Sequence, residues 1–543
     1  VPTLTSLPGK DCRRGFGVCG LPPSVEMILA ETRCYTERMS DLPAPYTQLR
    51  ERLSEIHDLN KIGWVLNWDQ RTMMAPGGAA VRAEQIATVN RIAHDKFTSD
   101  EIGALLESLR DFEANQPAES DAAALIRRTR YDYQRERRVP GDLRVAMARA
   151  AALSNGAWVQ ARRTNDYAAF KPSLAETLDL KRAYADAVCD PGQSRYDALL
   201  DDYEHGITTT EVAEIFSSVR DGLADLITLV HEHADRVDDG ALKGDFPADQ
   251  QATLCRSVLE PLGFNARAWR LDPTVHPFAS NASTQDIRIT TRYEPHTLGP
   301  AFFGSLHEFG HGLYEHQVDP ALERTPLCRG TSLGWHESQS RMWENLVGRS
   351  RGFIHWIHPR LKRVFRKHFT RYDAEALYRA ANRVQPSLIR IEADEVTYTL
   401  HIVIRFELEQ ELVAGTLSLD DLPAAWNDRM RRYLGVDVPS DSQGVLQDVH
   451  WSSGYFGYFP TYSLGSILAS QLWVAIQRDV PEVEQRIGRG DFAPLRAWLG
   501  EHIHKHGRKF TPRELLQRTL GVDRIDVAPY LSYLHTKFGE LYA

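Results

Sequence analysis

Two histidines four residues apart, with a glutamate directly after the first, are the part of this sequence best suited to hydrolytic chemistry: Ser305-Leu306-His307-Glu308-Phe309-Gly310-His311. On a helix, residues four apart lie one turn above each other. Both imidazoles can then turn a ring nitrogen toward one ion while Glu308 projects beside them, near a metal-bound water. That arrangement suits hydrolysis of an amide. So short a pattern also arises by accident, and a catalytic zinc needs a third protein ligand and one position left for water. Glu337, in Gly334-Trp335-His336-Glu337-Ser338-Gln339-Ser340, is the candidate. Thr331 or Ser332 can cap a helix there, and Trp335, Met342, Leu346 and Val347 recur at roughly helical spacing. Two antiparallel helices would share one ion. His336, next to Glu337, is expected to point elsewhere on its helix.

Other stretches could shape a substrate site. Alternation and β-branched residues make Asp286-Ile287-Arg288-Ile289-Thr290-Thr291-Arg292-Tyr293 a short strand. It is either an exposed edge on which an extended peptide pairs or a small stabilising ribbon. His276-Pro277-Phe278 reads as a rigid turn. Ser387 to Glu395 is expected to open a helix running through Phe406 and Leu408, and Arg390 on it could hold a free α-carboxylate bidentately. An ion pair with Glu392 or Asp394 is the competing role. The stretch from Gly444 to Gly465 is rich in glycine and aromatics, so it could pass close to a substrate and offer an imidazole or phenol donor to a tetrahedral oxyanion.

The elements that must position these residues are mostly helices. At 543 residues, with 42% hydrophobic and 25% charged, the chain can bury a large core. A formal charge of −9 argues against a general nucleic-acid binder, which needs a basic face. No apolar run approaches the roughly 18 residues that span a bilayer, and the start lacks a basic segment followed by an apolar core. The expectation is a cytoplasmic protein without membrane contact. Six cysteines are few for this length and read as incidental thiols. Residues 1–38 show no sustained period, and folded structure is expected to begin just after Met39, leaving 1–38 a disordered leader. Helical patterns then fill the chain to about residue 270, as in Thr98 to Phe112, Ala122 to Arg138, Gly141 to Arg163 and Ser173 to Cys189. The Trp-rich piece Ile62 to Asp69 is expected to be core. The expected organisation is one domain over 39–543, with a helical part at 39–270 and a zinc-site part at 271–543.

Taken together these residues resemble the carboxypeptidase Taq family of metallocarboxypeptidases. The resemblance covers roughly Met39 to the C-terminus. It rests on His276-Pro277-Phe278, Asp286-Ile287-Arg288-Ile289-Thr290, His307 to His311, His336-Glu337-Ser338-Gln339, Ile389-Arg390 with Ala393-Asp394, and Gly444 with Gln447-Asp448 and His450-Trp451, all in the family's order. It implies a mainly α, saddle-like fold with a deep groove, a small sheet beside the zinc helices, and commonly a homodimer. It implies release of single C-terminal residues from peptides with free C-termini, with broad specificity. By position, His307, His311 and Glu337 would be the metal ligands and Glu308 the general base of a zinc-activated water. Arg390 would hold the terminal carboxylate, and His450 with Tyr458 or Tyr462 would act on the carbonyl oxygen. Arg288 and His276 would belong to the groove wall. Zinc is the expected ion, with cobalt or manganese as substitutes. Two alternatives remain: a related helical oligopeptidase or dipeptidyl carboxypeptidase, separated by product size, and an inert scaffold keeping zinc for folding.

Overall fold

A computed structural model describes residues 42–543. The expected leader 1–38, Met39, and Cys12, Cys19 and Cys34 lie outside the described residues. Among the described residues the chain is mainly helical, with one three-stranded sheet. The helices that carry the site are numbered here α1 (Ala44–Thr72), α2 (Ala79–Phe97), α3 (Asp121–Arg138), α4 (Gly299–His316), α5 (Leu333–Arg341), α6 (Tyr398–Ala414) and α7 (Pro460–Asp479). Local chemistry sets where helices start. Ser120 accepts from the Ala123 N–H at the start of α3. Ser194 with Asp197 and Thr208 with Glu211 form capping boxes before Arg195–Asp201 and Thr209–Glu232. Four of the expected segments appear nearly as read, although Thr98 to Phe112 divides into Asp100–Ser108 and Arg110–Ala114. No helix among the described residues is long and apolar enough to cross a membrane.

Two buried apolar clusters result among the described residues. The larger runs from the helices after Val139 to the C-terminal helix and encloses the middle of the chain. The smaller joins Leu49, Leu53 and Ile56 of α1 to Ala124–Ile126 of α3 and to Leu322 and Leu327, in the segment between α4 and α5. The Trp-rich piece of α1 is only half core. Trp68 is buried, but Trp64 is exposed beneath Lys61 and walls a hollow next to α4, because the face of α1 away from the small core has no apolar partner there.

The sheet has the order β1 (Trp269–Pro273), β3 (Asp286–Thr291), β2 (Ala279–Ser283). β3 pairs parallel with β1 and antiparallel with β2. The strand from Asp286 is therefore not an edge. Its last three residues are buried in succession, as both flanks and α4 cover it. Trp269 of β1 stacks on Phe309 of α4, with ring centroids 5.4 Å apart, which fixes the sheet beside that helix.

The helix expected from Ser387 begins only at Tyr398. Ahead of it, 385–397 is irregular with one tight turn at Arg390–Glu392. The reason is competition for backbone groups: the Arg390 N–H donates to Gln447 Oε1, and Asp394 accepts from the N–H groups of Gln385, Val396 and Thr397. Those bonds replace a helical ladder.

Candidate active site

α4 and α5 run antiparallel and unusually close. A Cβ on Gly310 would sit 2.4 Å from the Gln339 carbonyl oxygen, so only glycine permits the contact. A Cβ on Gly465 of α7 would likewise lie 2.5 Å from Glu337 Cβ. Three helices thus meet at Glu337.

At this meeting point His307, His311 and Glu337 bring one ligand atom each within 4.8 Å of one another. His307 Nε2 is 3.6 Å and His311 Nε2 3.4 Å from Glu337 Oε2. The outer nitrogens are tied back. His307 Nδ1–H donates to Glu344 Oε2 at 2.9 Å, and Glu344 is held by Arg341 and Arg349. For His311 the holder is His336. The Glu315 carboxylate can only accept, so His336 donates Nε2–H to it at 2.9 Å, and its Nδ1 accepts the His311 Nδ1–H at 2.6 Å. Both relays leave an Nε2 lone pair facing Glu337. As expected, His336 is not among the ligand atoms, but its ring stays at the site: α5 lies close enough to α4 for it to pack between His311 and Tyr314. The relay continues outward, with Glu315 accepting from Asn281 of β2 and Asn281 from Lys61 of α1. Replacing His336 by Phe is expected to raise the metal dissociation constant on the order of 10- to 100-fold. Competition with a fluorescent chelator measures this, and unchanged affinity would show that the ring orients nothing.

Charge at the cradle is settled by burial against pairing. Burial would raise the Glu337 carboxyl, but Arg341, which donates Nε–H to Oε1 at 2.7 Å, and then the histidines hold it below the usual carboxylate range. Glu308 has no such partner. Burial pushes it up to about 7, and its Oε2 is enclosed without any hydrogen bond. Two imidazoles, an ionised carboxylate and an adjacent unpartnered carboxyl oxygen fit a catalytic divalent ion and its water.

Arg390 is buried and makes no pair with Glu392 or Asp394. It donates Nε–H and an Nη–H to Asp448 Oδ1, at 3.1 and 2.7 Å, and its other Nη–H to the Tyr398 hydroxyl at 3.3 Å. Asp448 Oδ2 accepts from Arg405, which also binds Gln447. The guanidinium is fixed against Tyr462, 4.9 Å from the ring centroid. His450 Nε2 lies 3.2 Å from the Tyr462 hydroxyl, and the Tyr458 and Tyr462 rings are 5.3 Å apart. Burial pushes His450 down to about 3, so it is neutral at physiological pH. These groups form one patch beside Glu337. Arg288 and His276 lie across the sheet: Arg288 pairs with Asp286 and stands over Trp68, while His276 is exposed at the turn between β1 and β2.

Comparison with known proteins agrees with this geometry. The sequence profile of the Carboxypeptidase Taq (M32) metallopeptidases matches residues 48–538. The chain belongs to the carboxypeptidase Taq (M32) family. It is 40% identical to thermostable carboxypeptidase 1 of Thermus thermophilus, covering 92% of this chain and 99% of that one. With carboxypeptidase 1 of Bacillus subtilis it shares 33% identity over 88% and 95% of the two chains. The crystal structure of an M32 carboxypeptidase from Deinococcus radiodurans superposes with a TM-score of 0.89 at 36% identity, covering 92% of this chain and 100% of that one. As an M32 enzyme the protein is a metal-dependent carboxypeptidase acting on peptides.

Several residues around the cradle and Arg390 escaped the sequence reading: Glu344, Glu315, Arg341, Tyr398, Arg405, and the contacts of His336 and Asp448. Glu315 follows His311 by four residues and Glu344 follows Glu337 by seven, so helical spacing alone would have placed both on the metal-facing sides.

Proposed function

We propose that this carboxypeptidase releases single C-terminal residues from peptides of varied sequence, uses zinc, and employs Glu308 as its general base. The observation that carries the reading is the buried, unpartnered Glu308 Oε2 beside a His307–His311–Glu337 cradle. Those three residues would hold the ion through two Nε2 atoms and Glu337 Oε2. A zinc ion there supplies Lewis acidity that polarises a carbonyl and lets water ionise near neutral pH. Glu308 takes the proton of the attacking water at Oε2 and delivers it to the departing amine. Tyr462, steadied by His450, and Tyr458 present hydroxyl groups to the carbonyl oxygen as charge develops on it. Arg390, held rigid by Asp448, faces the same aromatic patch and receives the terminal carboxylate, which registers the last peptide bond over the cradle. Broad specificity follows from recognising main-chain groups in this way, with Arg288 and His276 on the wall that limits how the chain lies.

Mass spectrometry of a pentapeptide and its C-terminal amide, incubated with zinc-loaded enzyme, tests the reading. Stepwise loss of single residues from the free acid, abolished by chelation, is expected. Dipeptide or internal cuts would refute it. Because Arg390→Ala would leave Oδ1 of the buried Asp448 without its donors, Arg390→Lys is the cleaner variant. It keeps the charge but not the bidentate fork, and kcat/KM on free acids is expected to fall on the order of 10- to 100-fold. An equal fall on amidated peptides would argue against the carboxylate role.

A further inference from the structure

The segment that carries His450 and Tyr458 is pinned from within by one carboxylate. Glu409 lies on α6 with no exposed surface. Its three partners are neutral donors: Oε1 accepts the Trp451 Nε1–H at 2.8 Å, and Oε2 accepts the Gly457 N–H at 2.9 Å and the Tyr196 hydroxyl at 2.8 Å. The guanidinium one turn away, Arg405, is committed to Asp448 and Gln447. Two of the three donors bracket 452–456. His450 comes immediately before Trp451, and Tyr458 immediately after Gly457. The two residues assigned to the substrate carbonyl therefore stand just outside the two points of attachment. Tyr196 ties the same carboxylate to the helix Arg195–Asp201.

Beyond ring packing, those two side chains have few holds of their own. His450 Nδ1 is buried without a hydrogen bond, and Nε2 reaches only the Tyr462 hydroxyl. Tyr458 is placed by ring contacts, with centroids 5.1 Å from Tyr203 and 5.3 Å from Tyr462. The backbone between them is tightly bent: Gly457 has φ +81°, and a Cβ there would lie 2.8 Å from the Leu199 carbonyl carbon and oxygen. Donors buried under such a turn need an acceptor from inside the fold. An ionised carboxylate only accepts, and its two oxygens serve all three donors, whereas an amide has one oxygen and brings donors of its own. Keeping a carboxyl here is costly, because burial pushes Glu409 up to about 7. An apolar side chain would fill the same space at less cost, but it would leave the Trp451 and Gly457 N–H groups unmet.

We propose that Glu409 is a positioning residue for peptide hydrolysis, clamping the turn at Trp451 and Gly457 so that His450, Tyr462 and Tyr458 face the carbonyl oxygen as charge develops on it. The inference rests on the assignment of those three residues to the carbonyl. Its signature follows from where the clamp acts. Glu409 bonds to none of the metal ligands, and the groups it places act on the transition state, so its loss lowers kcat while metal and ground-state binding stay in place.

The test is Glu409→Gln in the zinc-loaded enzyme. Whichever way the amide turns, the N–H of Trp451 or of Gly457 faces another donor. On a tripeptide, kcat is expected to fall on the order of 10- to 100-fold, with KM and the metal dissociation constant within about threefold of the wild type. A phosphinic tripeptide, whose tetrahedral phosphorus mimics the attacked carbonyl, should lose affinity by the same factor as kcat/KM. Adding Trp451→Phe frees the amide to turn its oxygen to Gly457, so the double variant should recover part of the kcat lost in Glu409→Gln, which lost packing alone would not allow. Should Glu409→Gln fold too poorly to assay, Trp451→Phe alone decides: it keeps the carboxylate and a ring, and kcat is expected to fall on the order of threefold at unchanged KM. Wild-type kcat in the variant assayed, or kcat, KM and metal affinity that fall together, would overturn the proposal. Tyr458→Phe and Tyr462→Phe, measured alongside, report on the underlying assignment. If both keep wild-type kcat, that assignment fails and the clamp with it; if they are impaired and Glu409→Gln is not, the clamp alone fails.

Discussion

Replacing Glu308 by Gln is expected to leave the bound metal in place and to reduce kcat on the order of 10³- to 10⁴-fold. The amide is nearly isosteric with the carboxyl it replaces, and Glu308 Oε2 has no hydrogen bond to lose. The His307, His311 and Glu337 cradle is held by Glu344, His336 and Arg341, none of which touches Glu308. Stability should therefore hold or rise slightly, because a carboxyl pushed up to about 7 by burial is replaced by a group with no charge to desolvate. Metal content by atomic emission and single-turnover cleavage of a tripeptide together make the test. Turnover within tenfold of the wild type would remove Glu308 from the proton path. Loss of metal would make it a ligand instead.

Gly310→Ala is expected to be strongly damaging for a single added methyl. The added Cβ would meet the Gln339 carbonyl oxygen at 2.4 Å, the Gln339 carbonyl carbon at 2.7 Å and the Ser340 Cα at 2.7 Å. All three are main-chain atoms, so no rotamer change relieves the clash and α4 must move away from α5. Overpacking of this kind costs about 3 kcal/mol or more when the neighbour cannot yield. Separating the helices also takes Glu337 from the two histidines, so zinc affinity and stability should fall together. Gly299→Ala at the start of the same helix is the control, since its new Cβ would have ordinary contacts at 3.9 Å. A Gly310→Ala enzyme that melts and holds zinc like the wild type would show that the two helices have slack.

How far the site was legible follows from what local periodicity can encode. His307, Glu308 and His311 share one helix, and their spacing is their geometry. Glu337 could be named because a cap and an apolar stripe marked a second helix close behind. Which residues of the second helix face the first depends on the antiparallel crossing, and no spacing reports that. His336 was accordingly kept out of the ligand set, but its place behind His311 was not read. The same limit applied to Asp286–Thr291, where alternation identified a strand but not its two partners. At Arg390 the failure was of another kind. The apolar pattern favoured helix, while side chains from Gln447 and Asp394 captured the backbone groups a helix needs. Those partners are 57 and 4 residues away, and only the nearer one was open to inspection in the sequence.

The contact of Gly465 with Glu337 has a bearing on how such an enzyme can diversify. The chemical half of the cleft is set where main chains touch, and it has no adjustable parts. The hollow on the other side, lined by Trp64, Trp68, Phe278 and Ser280, is made of side chains on α1 and around β2, with room between them. New peptide preferences can therefore accumulate there by ordinary substitution while the hydrolytic machinery is inherited unchanged.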